Sequence, residues 1–505
     1  MNPPDFTVTD LSNCDREPIH TPGSIQPHGF LCVLDPVGWK VAGASTNARE
    51  FFWREASALI GGPVSAVLGD GIVPALERAR AQPDFSSRAI FVDDLEIETG
   101  GEKHRFALVA HSTGTRVILE GERAAAPLPL QAVQETQLFL ARLGAAESMA
   151  EMHRLAVTEV RRITGFDRCL LYQFDADWNG TVIAEDRNNV LPSYLNQHWP
   201  ASDIPKQARE LYRRNRLRMI PSNNYKPEPI MLRGARAGAD LDLSLSVLRS
   251  VSPIHLEYMR NMGTGSSMSI AVMRGPELWG LISCHSREAK FVPFVTRAAC
   301  DLLGQFLSLQ LAAREQSREL SYRLELTSVL TRLVGELATD GDPSAAVRAE
   351  DLLRLGAATG AALVRDQGIA TYGKTPSEAD IRQISNQLAG DDQPLVFWDR
   401  VATQFTGVAL DPAVASGLMA VTVSTKPALR ILWFRPEIIE VVEWGGEPRK
   451  AIEAAGAGYV IHPRKSFEAW RETVRGRSRP WEPAVVATAR DLRETLIKLG
   501  PRRRD

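Results

Sequence analysis

The chain has 505 residues, of which 44% are hydrophobic and 24% are charged. This length is too great for one hydrophobic core and predicts about three domains, while the composition is typical of a folded protein and excludes a disordered chain. The formal net charge of -2 favours neither nucleic acid nor an anionic membrane as the main partner.

The N-terminus has no basic segment followed by an apolar one, and no later stretch is apolar for long enough to cross a bilayer. We therefore expect a cytoplasmic protein. Because the cysteines are odd in number and lack CxxC spacing, they predict neither a disulfide framework nor a zinc site. A thiol with a covalent role remains possible among Cys14, Cys32, Cys169, Cys284 and Cys300.

Residues from about 20 to 120 alternate short apolar segments with Gly and Asp turns, a pattern that is typical of strands. One short helical segment near 47–53 interrupts them. The pattern predicts a small α+β sensor domain with an antiparallel sheet, followed by a linker at 123–129. The predicted strands are FLCVLD (30–35), VAGAS (41–45), RAIFVDD (88–94), HRFALVAHS (104–112) and RVILEGE (116–122).

A second α+β domain is predicted from 131 onward. The segment 131–164 is helical in pattern, and a basic amphipathic helix is expected to end near Arg214. An Asn179-Gly180 turn joins the first two strands. The predicted strands are CLLYQF (169–174), VIAED (182–186), SMSIAVM (267–273) and LWGLISCH (278–285).

No proline occurs between Pro293 and Gly341, and leucines recur there at helical spacing. This predicts one helix that connects two domains and exposes an apolar stripe suited to a partner helix. Two helices broken near Glu315 are the alternative.

The last third repeats the α+β pattern over 345–440 and ends in a predicted strand, ALRILWFRPEII (428–439). The next stretch, 444–470, is rich in Gly and Arg and is hard to bury in a core. A final helix is expected from about Glu482 to Leu499.

The most specific motif is PASDIP at 200–205. Taken alone, Asp203 would be interpreted as a helix cap, and Pro205 suits the first turn of a helix. With the segments YLNQHW (194–199), LRSVSPIHLEYMRNMG (248–263) and LWGLISCH, the motif resembles the bacterial phytochromes. The resemblance runs from about residue 10 to about residue 481.

The resemblance implies an α+β fold of three consecutive domains, each with a central antiparallel sheet, joined by a long helical spine. It also implies a figure-of-eight knot between the N-terminal extension and the GAF domain, an exception to the rule against knots. The expected boundaries are an extension with the chromophore cysteine (1–20), a PAS domain (21–125), a GAF chromophore-binding domain (131–315) and a PHY domain (320–505) with a tongue hairpin at about 440–480.

The function implied is that of a red/far-red photoreceptor that binds biliverdin IXα covalently, through a thioether to Cys14. Isomerisation of the D ring would convert it between the Pr and Pfr states, and the signal would pass through refolding of the tongue and through the spine to an output module. A homodimer through helices at about 295–340 is expected. A further expected partner is a downstream histidine kinase module or a separate response protein. We expect no catalytic domain in this chain.

The resemblance also assigns roles to single residues. The Asp203 carbonyl would accept hydrogen bonds from the pyrrole N–H groups, and its carboxylate would pair with Arg464. A lone histidine or a surface arginine is most often structural, so these roles depend on the family. The expected chromophore-binding residues are Tyr172, Trp199, Asp203, Ile204, Pro205, Tyr212, Arg218, Arg249, His255, Tyr258, Ser267, Ser269 and His285, and the expected tongue residues are Arg464, Ser466, Trp470 and Glu472.

One departure concerns Trp199, which stands where the family generally has Phe or Tyr, close to the expected D ring. Two other functions fit the fold class. One is a dark small-ligand sensor for a cyclic nucleotide or haem, and the other is a truncated sensor histidine kinase. The fold alone does not decide among them.

Overall fold

The structure is a computed structural model that describes residues 17–99, 102–124, 130–234, 241–337, 348–389, 393–425, 428–446, 452–455, 458–461, 467 and 470–499. The chain divides into two compact units, Met1–Ala312 with Glu443–Trp470 and Ala313–Val442 with Arg471–Asp505. Two large sheets lie in the first unit and one lies in the second. This three-sheet α+β architecture confirms the predicted fold class.

The first sheet has the strand order β1-β11-β3-β2-β6-β5-β4. Its strands are β1 (Ser24–Ile25), β2 (Gly29–Asp35), β3 (Lys40–Ser45), β4 (Ile90–Thr99), β5 (Glu102–Ser112), β6 (Val117–Arg123) and β11 (Glu228–Leu232). Four helices pack against one face, where the prediction had one near 47–53: α1 (Ala48–Phe52), α2 (Ala56–Leu59), α3 (Ser65–Leu68) and α4 (Ile72–Arg80). The other three were missed because they span at most nine residues, too few for a clear helical period.

The segment before β2 lies between two parts of the second domain. On one side β1 pairs antiparallel with β11. On the other, Leu243 N–H donates to His20 O at 2.8 Å and Gln26 N–H donates to Leu248 O at 2.8 Å. A chain threaded through a loop would make these contacts. Since residues 235–240 lie outside the described residues, the knot itself stays a prediction.

A buried ion pair also connects the first two domains. Glu122 on β6 binds Arg297, and His28 Nε2 lies 2.9 Å from the same carboxylate. Burial alone would raise the pKa of Glu122, but Arg297 and His28 outweigh it and lower that pKa to about 2. The carboxylate is therefore charged. Removing Arg297 or His28 would take away part of the positive charge that stabilises this buried carboxylate.

Six strands of the second sheet follow the order β10-β12-β13-β7-β8-β9. Its strands are β7 (Arg168–Phe174), β8 (Gly180–Arg187), β9 (His198–Trp199), β10 (Leu217–Ile220), β12 (Ser266–Arg274) and β13 (Glu277–Ser286). The associated helices are α5 (Leu130–Ala145), α6 (Met149–Thr164), α7 (Lys206–Arg214), α8 (Pro253–Asn261) and α9 (Phe294–Leu337). Both faces of this sheet are buried, and successive side chains along each strand point to opposite faces.

One face of this sheet packs on α5, α6 and α9 through Cys169, Met268 and Cys284. Their immediate neighbours Leu170, Ser267 and His285 lie on the opposite face, as the two-residue period of a strand requires. The side chains of Cys32, Cys169, Cys284 and Cys300 are all buried and free, which confirms them as core residues.

Helix α9 runs without a break for 44 residues, so the continuous interpretation is confirmed and a break near Glu315 is wrong. Its N-terminal part contributes Cys300, Leu303, Leu307 and Leu311 to the core of the first unit. Its C-terminal part contributes to the core of the second. Within the part of the chain that the structure describes, none of the helices combines the length and apolar character that a membrane crossing needs.

The second unit has a five-stranded antiparallel sheet of order β15-β14-β18-β17-β16. Strand β18 ends at Arg435, earlier than the predicted residue 439, because Pro436 has no N–H for the ladder. The remaining elements of the whole chain are α10 (Ala349–Leu355), β14 (Gly360–Arg365), β15 (Gly368–Gly373), α11 (Glu378–Leu388), β16 (Leu395–Trp398), β17 (Gly417–Thr425), β18 (Ala428–Arg435), β19 (Glu440–Trp444), β20 (Ile452–Ala455), β21 (Gly458–Ile461), β22 (Trp470–Val474) and α12 (Pro483–Leu499). Of these, β20 and β21 belong to the first unit.

Candidate functional site

A cavity of about 270 Å³ lies on the face of the second sheet opposite α5, α6 and α9. Strands β7, β12 and β13, helices α7 and α8, and the segment before α7 supply its wall. All thirteen chromophore-binding residues expected from the sequence line it: Tyr172, Trp199, Asp203, Ile204, Pro205, Tyr212, Arg218, Arg249, His255, Tyr258, Ser267, Ser269 and His285. Residues up to 113 positions apart in the chain therefore meet in one place.

The PASDIP segment is held by contacts on both sides. Ala201 and Asp203 bound a short 3₁₀ turn, and Arg209 Nη1 donates to Ile204 O at 2.7 Å. Helix α7 begins at Lys206, and no side chain caps its N-terminus. Interpreting Asp203 as a helix cap is therefore wrong. Its carboxylate accepts a hydrogen bond from Tyr258 Oη at 3.1 Å.

Two guanidinium groups face the cavity from the same side. Arg218 donates to the carbonyl oxygens of Arg249 and Ser250, and its Nη1 atom has no partner among the described residues. Among the described residues, Arg249 Nη1 donates to the carbonyls of Leu243 and Ser244, at 3.3 Å each. Burial, with Arg218 close by, lowers the pKa of Arg249 to about 9. Two buried cations that form no ion pair within the described part of the chain make a strong site for an anion.

The loop that carries Arg249 is fixed by a residue that the sequence did not single out. Glu120 is fully buried on β6 and accepts hydrogen bonds from the backbone N–H groups of Val247 and Leu248, at 3.0 and 2.8 Å, and from Ser246 Oγ. Burial raises the pKa of Glu120 to about 7 in spite of these hydrogen bonds. Its role was missed because more than 120 residues separate it from the loop.

The two histidines expected at the site line the cavity together. His255 stacks on Tyr258 with ring centroids 5.9 Å apart. Burial lowers the pKa of His255 to about 4, with a contribution from Arg218. Burial, Arg168 and His255 together lower the pKa of His285 well below its usual value. Both imidazoles are therefore neutral at physiological pH and can each donate one hydrogen bond and accept another.

The aromatic end of the cavity is formed by Tyr172, Trp199 and Tyr194. The Tyr194 and Trp199 rings lie 4.8 Å apart, and Tyr172 Oη lies 3.5 Å from Trp199 O. Tyr194 was not among the expected site residues, although it stands in the YLNQHW segment.

The N-terminal segment reaches the cavity as well. Glu17 and Ile19 are part of its wall, and Ser252 Oγ donates to Glu17 Oε2 at 2.9 Å. Burial raises the pKa of Glu17 despite that hydrogen bond. Cys14, the expected attachment residue, lies outside the described residues.

The tongue residues are only partly described. Arg464 and Ser466 lie outside the described residues, and Trp470 and Glu472 lie in β22. Phe467, which the sequence analysis did not select, packs near the cavity with its ring centroid 6.0 Å from that of Trp199 and 5.3 Å from that of Tyr258. The expected pair of Asp203 with Arg464 stays a prediction.

Three family models match the chain. A PAS fold matches residues 14–124, a GAF domain matches 148–314, and the phytochrome region matches 326–505. Among curated proteins, cyanobacterial phytochrome B of Nostoc is 38% identical over 98% of this chain and 67% of its own length. A bacteriophytochrome of Xanthomonas campestris is 34% identical over 98% of this chain and 79% of its own length.

Solved structures match over the same length. A bacteriophytochrome from R. palustris superimposes with a TM-score of 0.84 at 37% identity, covering 97% of this chain and 99% of its own. The photosensory core module of a phytochrome from Stigmatella aurantiaca gives a TM-score of 0.83 at 38% identity, covering 99% and 100%. The chain thus spans a photosensory core and about two thirds of the cyanobacterial relative.

Proposed function

This chain belongs to the phytochrome family, and from that premise we propose that it is a red/far-red photoreceptor that binds biliverdin IXα in the cavity of its second domain. The domain limits expected from the sequence are kept as part of this proposal. Bound biliverdin would supply the absorption of red light and the isomerisation of its D ring between the Pr and Pfr states. The chain's own residues bind it, orient it and respond to it.

The pair of guanidiniums carries the proposal. Arg218 and Arg249 face the cavity, and neither forms an ion pair among the described residues. Biliverdin has two propionates, whose burial requires cationic or hydroxyl partners. Arg218 and Arg249 would hold one of them, and Ser267 and Ser269, on β12, would hold the other.

Asp203 and the histidines would hold the conjugated part. The Asp203 carbonyl would accept hydrogen bonds from pyrrole N–H groups, and His255 and His285 would bind polar edges of the tetrapyrrole as neutral imidazoles. Apolar residues such as Leu170, Val182 and Ile254, which also line the cavity, would exclude water from the ring faces.

Attachment through Cys14 is consistent with the position of the N-terminal segment. Glu17 lines the cavity, and three residues of extended chain span at most about 11 Å. The Cys14 thiol would add across the vinyl C=C bond of the A ring. The S–H bond and the C=C π bond would break as a C–S bond and a C–H bond form, and there is no leaving group.

Signalling would pass through the tongue. The Asp203 carboxylate would pair with Arg464, and the nearby Phe467, Trp199 and Tyr258 rings already connect this segment to the cavity wall. A change of the ligand would be coupled to refolding of the tongue if both packings are close in free energy. The output would be a histidine kinase module or a separate response protein.

A homodimer is part of the proposal. Leu138 on α5 is 67% exposed, and Leu302 and Leu309 on α9 are 50% and 69% exposed. The three side chains belong to the helices that cover the back of the second domain. Large apolar side chains exposed at helical spacing favour packing against the same helices of a second copy.

The attachment is tested by co-expressing the chain with a haem oxygenase, which produces biliverdin. We expect a green protein whose far-red absorbance changes reversibly under red and far-red light. Cys14→Ser should lose the pigment under denaturing conditions, while the neighbouring control Ser12→Ala should retain it. A colourless protein, or one with only a haem spectrum, would contradict the proposal and favour the dark small-ligand sensor.

The role of the guanidiniums is tested with free pigments. Biliverdin should bind Cys14→Ser apoprotein about ten- to hundredfold more tightly than its dimethyl ester, because each charge-assisted hydrogen bond contributes about 1.5–3 kcal/mol. The absorbance change on mixing gives both affinities. Equal affinities would show that Arg218 and Arg249 do not bind propionates.

A further inference from the structure

Arg168 is a fully buried cation that contacts His285 in the cavity wall. It stands on β7 directly opposite His285 on β13, and its residue surface is 0% exposed. Its Nη2 atom lies 3.2 Å from His285 Nδ1. Its Nη1 atom donates to Pro192 O at 2.5 Å, and its guanidinium carbon lies 3.8 Å from the centre of the Tyr194 ring.

The contact with His285 has only one chemically consistent form. A guanidinium has five N–H groups and no acceptor atom. The hydrogen bond therefore requires a lone pair on His285 Nδ1, so that nitrogen carries no proton. A neutral imidazole with an unprotonated Nδ1 has its proton on Nε2.

His285 Nε2 is then a donor that faces the cavity. His285 is part of the cavity wall, and among the described residues its side chain makes one hydrogen bond, from Nδ1 to Arg168. The other titratable group that acts on it is His255, a neutral neighbour in the same wall. A ligand atom that meets Nε2–H must be a hydrogen-bond acceptor.

We propose that Arg168 is a positioning residue that locks His285 in the Nε2–H tautomer, so that this point of the wall selects a carbonyl oxygen of the ligand and rejects an N–H group. The selection of a biliverdin carbonyl depends on the proposed function, but the tautomer is a property of the protein alone. Through Pro192 and Tyr194, the same guanidinium fixes the loop that leads to Trp199.

The tautomer can be measured without any pigment. In the ¹⁵N-labelled apoprotein, two-bond ¹H–¹⁵N spectra assign the His285 ring by comparison with His285→Gln. We expect an unprotonated Nδ1 and a protonated Nε2 across the range from pH 6 to pH 8. Protonation of Nδ1 in this protein would overturn the proposal, and this result does not depend on any variant at position 168.

Variants separate positioning from simple structural support. Arg168→Met removes the donor, and His285 should become a mixture of tautomers, whereas Arg168→Lys should restore one tautomer because the ammonium can still donate to Nδ1. Arg187→Met is the matched control, since Arg187 donates to Leu191 O of the same loop at 3.2 Å and stands across from Arg168 on β8. It should leave the His285 spectrum unchanged, and a similar change in both Met variants would overturn the assignment to Arg168.

The pigment experiment is kept separate. If biliverdin does not bind but His285 shows the expected tautomer, the proposed function fails and the role of Arg168 stands. If biliverdin binds and Arg168→Met leaves both the tautomer and the light-induced absorbance change intact, the proposal for Arg168 fails alone.

Discussion

His111 shows how a single buried side chain sets a pH dependence. It lies on β5 with 1% of its surface exposed, and neither ring nitrogen has a hydrogen-bond partner among the described residues. Burial lowers its pKa to about 4, opposed in part by Asp242. Since the unfolded chain takes up this proton near pH 6.5, the unfolded state binds more protons between pH 6.5 and pH 4. The contribution of the neutral imidazole to the free energy of unfolding is therefore fully present above pH 6.5 and is lost as the pH falls from 6.5 to 4.

We therefore predict that acid weakens the first domain partly through His111. Between pH 8 and pH 5 this residue alone should reduce the free energy of unfolding by about 2 kcal/mol. His111→Leu should show a loss that is smaller by that amount, as measured by urea denaturation of the apoprotein at both pH values. The same loss in both proteins would contradict the assignment.

At the scale of residues, the sequence predicted the residues whose roles are implied by a recognisable motif. Asp203 and His285 could be placed because the segments around them resemble a family. Arg168, Glu120 and Glu17 could not, because each acts through a hydrogen bond to a residue that is distant in the chain. Strand alternation places Leu170 and Cys169 on opposite faces of the sheet. It does not predict which strand pairs with the strand that carries them.

At the scale of elements, the start of the tongue packs on the end of β9. Trp444 pairs with His198, and Gly445 N–H donates to His198 O at 2.9 Å. A Cβ atom at Gly445 would lie 2.6 Å from Cζ2 of the Trp199 ring. The indole therefore requires glycine at position 445. The contact arises because the chain has Trp199 where the family generally has Phe or Tyr.

We predict that Gly445→Ala loosens this docking. Overpacking of this kind costs about 1–3 kcal/mol, so the amide at position 445 should exchange with solvent about five- to hundredfold faster. Hydrogen exchange followed by mass spectrometry or NMR measures the rate.

Two further variants test the cause. Adding Trp199→Phe to Gly445→Ala should restore most of the protection, because the smaller ring leaves room for the methyl group. Gly71→Ala, where nothing lies within 4 Å of the added atom, should have no effect on this amide. Failure of Trp199→Phe to compensate would show that the clash is not with the indole.

At the scale of the whole molecule, the sequence predicted three antiparallel sheets and one unbroken helix between the last two. Their strands are local in sequence and their apolar periods are clear. It did not predict that β11, from the second domain, adds to the first sheet. That pairing joins Ser24 to Pro229, and a five-residue strand gives no signal of a partner some two hundred residues away.

The exposed leucines of α9 make the oligomeric state testable. Leu302 and Leu309 are seven residues apart, so they lie on one face of the helix. If this face packs on a second copy, Leu302→Lys with Leu309→Lys should weaken self-association by at least about 3 kcal/mol, which is roughly a hundredfold in the dissociation constant.

Sedimentation velocity over a range of concentrations measures this dissociation constant. Ser321→Lys adds a charge at an exposed position of the same helix, roughly 100° around its axis from Leu302, so it should dissociate like the unmodified protein. A monomer at all concentrations, or equal dissociation constants for the three proteins, would exclude this face as the interface.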